Sequence, residues 1–220
     1  MGSAAEGAFT TNSGDVQRLW KIHEEVAGGG PGRKHDVEIL NRTAIVFITA
    51  CWEAYVEDVA SEAFGILIAK AKDSAVVPPK VRAFVGRRLL EAKNPQDVWK
   101  LADRGWRAEM ASYANEVKER WISNLNTPKT AQVNSLFEEL LGLAGLSSRW
   151  HWGSMSSKRA SDKLDKYVTV RGNIAHRVKH DESVYKNWSA DYLNHVQRLV
   201  DATDDAVAGH LKRFLDARPW

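Results

Sequence analysis

The chain has 220 residues, 44% apolar and 27% charged, enough to bury roughly two-thirds of its unfolded surface, and this excludes global disorder. Its longest strongly apolar run, residues 43–51, falls far short of the ~18–20 residues a membrane span needs. The formal charge of +3 is too mild to name a partner by itself, and a lone cysteine, Cys51, allows neither an internal disulfide nor a thiolate zinc cage.

The charge is unevenly spread. Residues 158–180 carry seven Lys or Arg against two Asp, a local +5, and residues 80–93 carry five against one, a local +4. Such runs most often form a solvated helix face. The N-terminus lacks the basic-then-apolar order of a secretory signal and has Glu6 where a myristoylation signal wants Ser or Thr, so a cytoplasmic location is expected.

Residues 1–14 are small and polar with no apolar period, and read as a flexible tail preceding a single helical domain over 15–220. Asp15 is placed as the N-cap of a short helix through Val16, Leu19, Trp20, His23 and Val26, which the glycine run at 28–32 ends. From His35 to about Lys72 the apolar residues recur every three or four positions. Ile45, Val46 and Ile48 make the first half apolar nearly all round, the mark of a helix buried among others. Val77-Pro78-Pro79 breaks it, and a basic helix or turn follows to Lys93. Asn94-Pro95 then opens a helix carrying Val98, Leu101, Trp106, Met110, Tyr113, Val117, Trp121 and Leu125, ending near Thr127-Pro128. A shorter amphipathic helix over Ala131–Leu143, an ordered loop over Ser147–Ser157, and helices over about Lys158–His180 and Ser189–Ala217 complete the chain. No segment alternates with a strand's period. The expectation is an all-α antiparallel bundle of six or seven helices.

One of these helices breaks its own pattern. Leu164, Tyr167, Val168, Ile174, Ala175 and Val178 form an apolar stripe, and Arg171 falls in its middle. A guanidinium there must meet a carboxylate, a cleft, or a phosphate across an interface. His176 lies on the flank of the stripe, about a third of a turn away. Arginine with histidine is the minimum set for cutting RNA without a metal: imidazole moves protons at the 2′-hydroxyl or the leaving 5′-oxygen, and guanidinium grips the phosphorane charge. A structural arginine–carboxylate pair beside a surface histidine would read the same way.

The segment Arg171-Gly172-Asn173-Ile174-Ala175-His176 resembles the R-x-x-x-x-H signature of the HEPN superfamily, and Cys51-Trp52-Glu53-Ala54-Tyr55 resembles the Trp-Glu-x-Tyr segment of its RiboL-PSP and MAE-28990 types. The similarity covers roughly residues 35–215. It implies a metal-independent endoribonuclease with no cofactor, whose site forms where two copies of the chain meet, with Arg171 and His176 of both converging. It further implies Glu53 as a carboxylate orienting Arg171 or His176, and Asn173 in support; Glu53 reads equally as a surface acid on the polar edge of its long helix, and Asp58 and Glu62, nearer the apolar stripe, are rival partners. Family members commonly carry a polar residue directly after the arginine; here that place is Gly172. Arg177, Lys179 and His180 extend the basic face toward RNA. The resemblance suggests a toxin or phage-defence effector, with an antitoxin or other regulatory protein as a further partner.

Other readings compete. His176 and His180 have metal-ligand spacing, yet Arg177 stands where a metalloprotease needs Glu and no third ligand is evident, so no metal is expected. His151, between Trp150 and Trp152, could stack a base, although a tryptophan pair in a loop more often plugs a core. His23, His35, His195 and His210 read as isolated structural or solvated groups. The alternative function is a non-catalytic helical module for dimerisation or for binding a partner or RNA, in which a salt bridge consumes Arg171.

Overall fold

The run that is apolar on every side becomes the axis of the molecule. In a computed structural model describing residues 2–27, 38–124, 127–177, 185–215 and 217–220, without the side chains of 27, 121–124, 176, 177 and 186, it forms one 33-residue helix, Glu38–Lys70. In chain order the helices are α1 (Ala4–Ala27), α2 (Glu38–Lys70), α3 (Pro79–Leu90), α4 (Gly105–Asn124), α5 (Thr130–Leu141), α6 (Ser157–Arg177) and α7 (Lys186–Leu211). Short 3-10 turns lie at Ser74–Val76, Pro95–Leu101 and Leu146–Arg149. The fold is all-α, with no strand among the described residues and an isolated bridge between Trp152 and Met155. No helix among them is long and apolar enough to cross a membrane.

Helix α2 packs against α1, α4, α5, α6 and α7, which is why Ala44, Ile45, Ile48, Trp52, Val56, Val59 and Ala63 are all at 0% exposure. Trp52 and Tyr55 point into the same core. Trp52 stacks on Tyr55 at 5.8 Å, meets Trp150 edge-on at 5.9 Å, and donates its indole N–H to the Pro128 carbonyl at 3.1 Å. Tyr55 donates its hydroxyl to the Val200 carbonyl at 3.1 Å. Each aromatic ring thus buries a large apolar surface while its one polar atom is satisfied.

Two expectations are corrected. Residues 4–14 are not a flexible tail but the first half of α1, and Asp15 is no N-cap; it lies inside the helix and pairs with Arg18 at 2.7 Å. The cap is Ser3, whose Oγ accepts from the Glu6 amide at 3.0 Å. The Glu62 carboxylate accepts from the Ala4 and Ala5 amides, both at 3.0 Å, which places a negative charge at the positive end of the helix. Ala5, Phe9, Ser13 and Val16 then form a buried stripe. The second correction concerns the helix expected from Asn94-Pro95. Residues 95–101 instead form a 3-10 turn, started by the Asn94 side chain accepting from the Gln96 amide at 3.1 Å. Asp103, at φ 52°, separates it from α4. Val98, expected on the buried stripe, is consequently 49% exposed.

Elsewhere the boundaries move by a few residues. The basic segment after Pro79 is a helix, α7 ends at Leu211 rather than Ala217, and Gly28–Gly32, His35 and Val178–His180 lie outside the described residues. The bland reading of the tryptophan loop is the correct one. Trp150 is fully buried with its N–H on Thr203 Oγ1 at 2.9 Å, while His151 is exposed.

His195 and His210 are structural, His195 Nε2 bonding the Ala160 carbonyl at 3.0 Å and His210 Nε2 the Leu141 carbonyl at 2.7 Å. Burial pulls His195 down to about 4. A base whose folded-state pKa is depressed takes up protons more readily when unfolded, so its stabilising effect is present above about 6.5 and is lost as pH falls toward about 4. The acid limb of urea unfolding, followed between pH 7 and 4, should therefore flatten in His195→Gln. An unchanged limb would assign acid sensitivity to other groups.

Candidate functional site

Helix α6 crosses α2 and lies beside α7, and the three helices set polar side chains in two successive layers. On α2, Thr49 and Glu53 are one turn apart; on α6, so are Tyr167 and Arg171. In the first layer the Tyr167 and Tyr192 rings stack at 4.2 Å and 16°, and the Tyr192 hydroxyl lies 3.0 Å from Thr49 Oγ1. Thr49 spends its only hydroxyl proton on the Ile45 carbonyl at 2.9 Å, so Tyr192 must be the donor to Thr49. The phenolic oxygen keeps its lone pairs for a second contact. In the next layer Arg171 is half-buried, with its Nε shielded from water, and its charge reaches both Glu53 and Tyr192.

The electrostatics follow from burial. Desolvation raises the Glu53 carboxyl, the Arg171 guanidinium opposes that rise, and Glu57 adds to it. Desolvation likewise pushes the Tyr192 phenol well up, and the Arg171 charge opposes that rise. An acid and a phenol held half or fully out of water are thus both placed where the guanidinium offsets their cost.

Neighbouring contacts hold α6 to α7. Asp191 accepts from Lys163 Nζ and from the Tyr167 hydroxyl, each at 2.8 Å, and these bonds outweigh its desolvation to keep the carboxyl below its usual range. The stripe that carries Arg171 outruns the core: Leu164 and Val168 are fully buried and Tyr167 nearly so, whereas Ile174 is half-buried and Ala175 exposed. The apolar side of α6 therefore opens to solvent over the turn that bears the motif.

Of the three acids weighed against each other, Glu53 faces Arg171; Glu62 is committed to the start of α1 and Asp58 is exposed. Asn173 is exposed, and at two residues from Arg171 it points to a different side of α6. The backbone at His176 continues α6 five residues past Arg171, a rise of about 7.5 Å. The side chains of His176 and Arg177, and all of Lys179 and His180, lie outside the description. Tyr192 and Thr49 went unnoticed in the sequence. The available signal was Thr49 itself, a hydroxyl inside the run that is apolar all round.

The family model for RiboL-PSP-HEPN matches residues 18–209, a span that takes in α2, α6 and both layers. The chain belongs to the RiboL-PSP-HEPN family. The Trp-Glu-Ala-Tyr segment of this HEPN chain divides its work by helical geometry: Trp52 and Tyr55, three residues apart, lock α2 into the core, while Glu53, rotated by about 100°, faces α6. No curated protein and no solved structure matches the chain.

Proposed function

We propose that this HEPN chain is an endoribonuclease that cuts RNA without a metal, using the substrate's own 2′-hydroxyl as nucleophile. The observation that carries the reading is the half-buried guanidinium of Arg171, set in electrostatic reach of Glu53 and Tyr192 and five residues from His176 on one helix. Family membership supports an RNA-related role.

In this mechanism the phosphate oxygens of the scissile linkage meet the Arg171 fork, whose orientation Glu53 and the Tyr192 oxygen restrict. His176 transfers the proton at the attacking 2′-hydroxyl or at the leaving 5′-oxygen. The 2′-oxygen displaces the 5′-oxygen at phosphorus, leaving a 2′,3′-cyclic phosphate and a 5′-hydroxyl. The open apolar end of α6 at Ile174 and Ala175 is the surface on which a second copy would complete the site, and Asn173, Arg177, Lys179 and His180 are the further residues assigned to RNA. A cytoplasmic toxin or defence effector, held in check by an antitoxin, is the setting that fits such an activity.

The reading is tested by incubating purified protein with an RNA and a DNA of the same sequence in EDTA. The RNA alone should be cut. A second reading, a non-catalytic module, draws on the same coupling between Glu53 and Arg171, because a guanidinium restrained by a carboxylate can serve structure alone. It predicts that both nucleic acids remain intact.

A further inference from the structure

Among the tryptophans whose side chains are described, Trp99 is the exposed one, at 76%, while Trp20, Trp52, Trp106, Trp150, Trp152, Trp188 and Trp220 are buried or half-buried against the core. It stands on the 3-10 turn Pro95–Leu101, which packs against α3 and α4 and is anchored through Leu101. Val98, next to it in the chain, is 49% exposed, and Leu90, at the end of the helix α3 against which the turn packs, is 83% exposed. An indole so exposed gives nothing to the core, and Val98 and Trp99, adjacent on one turn, present apolar surface to solvent.

The charge nearby narrows the class of partner. Lys80, Arg88 and Lys100 are tied up, with Glu138, with Glu109 and Glu116, and with Asp97 respectively. Arg87, Lys93 and Arg104 are exposed and take no part in the ion pairs among the described residues. The surface therefore presents a flat aromatic ring on a corner whose remaining cations are uncommitted. Unpaired bases stack on such rings and their phosphates neutralise such cations, a combination that tracks single strands without reading their sequence.

We propose that Trp99, with Arg87, Lys93 and Arg104, forms a docking site for single-stranded RNA separate from the Arg171 layer. This rests on the reading of the protein as one that acts on RNA. A strand held here would add affinity for long substrates without altering the bond-breaking step, so the effect belongs in KM rather than kcat.

The test uses a 2′-O-methyl oligouridylate, which has no free 2′-hydroxyl to attack, and follows its fluorescence anisotropy with the full chain. Trp99→Ala should weaken binding at least about fivefold, the lower end for loss of one stacked base. The triple variant Arg87→Ala, Lys93→Ala, Arg104→Ala should flatten the salt dependence of log Kd by about 2, as expected for three phosphate contacts on a single strand. If the parent binds the oligonucleotide and Trp99→Ala binds it equally well, the docking site is overturned while the RNA reading stands. Should the parent bind no RNA at all, both fall. Loss of an oligomer in light scattering on Trp99→Ala, with RNA affinity unchanged, would make this corner a protein contact and overturn the proposal.

Discussion

Arg171→Ala should lower the rate of RNA cleavage by at least ~10²-fold, the loss typical of removing one preorganised donor from a developing oxyanion. The guanidinium is costly to keep half-buried, and Glu53 and Tyr192 lie within its electrostatic reach. Arg171→Lys should rescue little, because one ammonium cannot reproduce two parallel hydrogen bonds to a phosphorane. Tyr192→Phe separates orientation from charge. It keeps the stack on Tyr167 and removes only the hydroxyl, so kcat should fall several-fold with KM for RNA unchanged. If Arg171→Ala cuts as fast as the parent, the arginine is a structural ion.

His176→Ala should cost ~10²–10⁴-fold in cleavage, the contribution of a positioned acid or base, with helicity and RNA affinity retained. The helix backbone runs through residue 176 to Arg177, so removing an imidazole there need not shorten α6. The backbone positions of the two motif residues lie about 7.5 Å apart along the axis of α6. Equal cleavage by the parent and by His176→Ala would remove the imidazole from the chemistry.

The parts of the fold visible in the sequence were those where apolar period and burial coincide. The run around Ile45 and Ile48 had to be surrounded, and it is. The errors arose where polar side chains, rather than apolar ones, set the backbone. Helix α1 starts early because Ser3 caps it and Glu62 reaches across from α2, and the Ser3-Ala4-Ala5-Glu6 spacing typical of a helix start is easily hidden among small residues. The turn at 95–101 displaces a helix because the Asn94 side chain takes a backbone amide that a helix would have used differently. At the site, Arg171 was conspicuous as a cation in an apolar stripe, and Glu53 followed from the resemblance. Tyr192 was not legible, since only tertiary packing brings α7 against Thr49.

The chemistry of the RNA ends formed in EDTA tests the assignment most directly. Attack by the 2′-hydroxyl, with Arg171 and His176 as the working groups, predicts fragments ending in a 2′,3′-cyclic phosphate and beginning with a 5′-hydroxyl. Fragments bearing a 3′-hydroxyl and a 5′-phosphate, or cleavage that appears only when Mg²⁺ is restored, would contradict it.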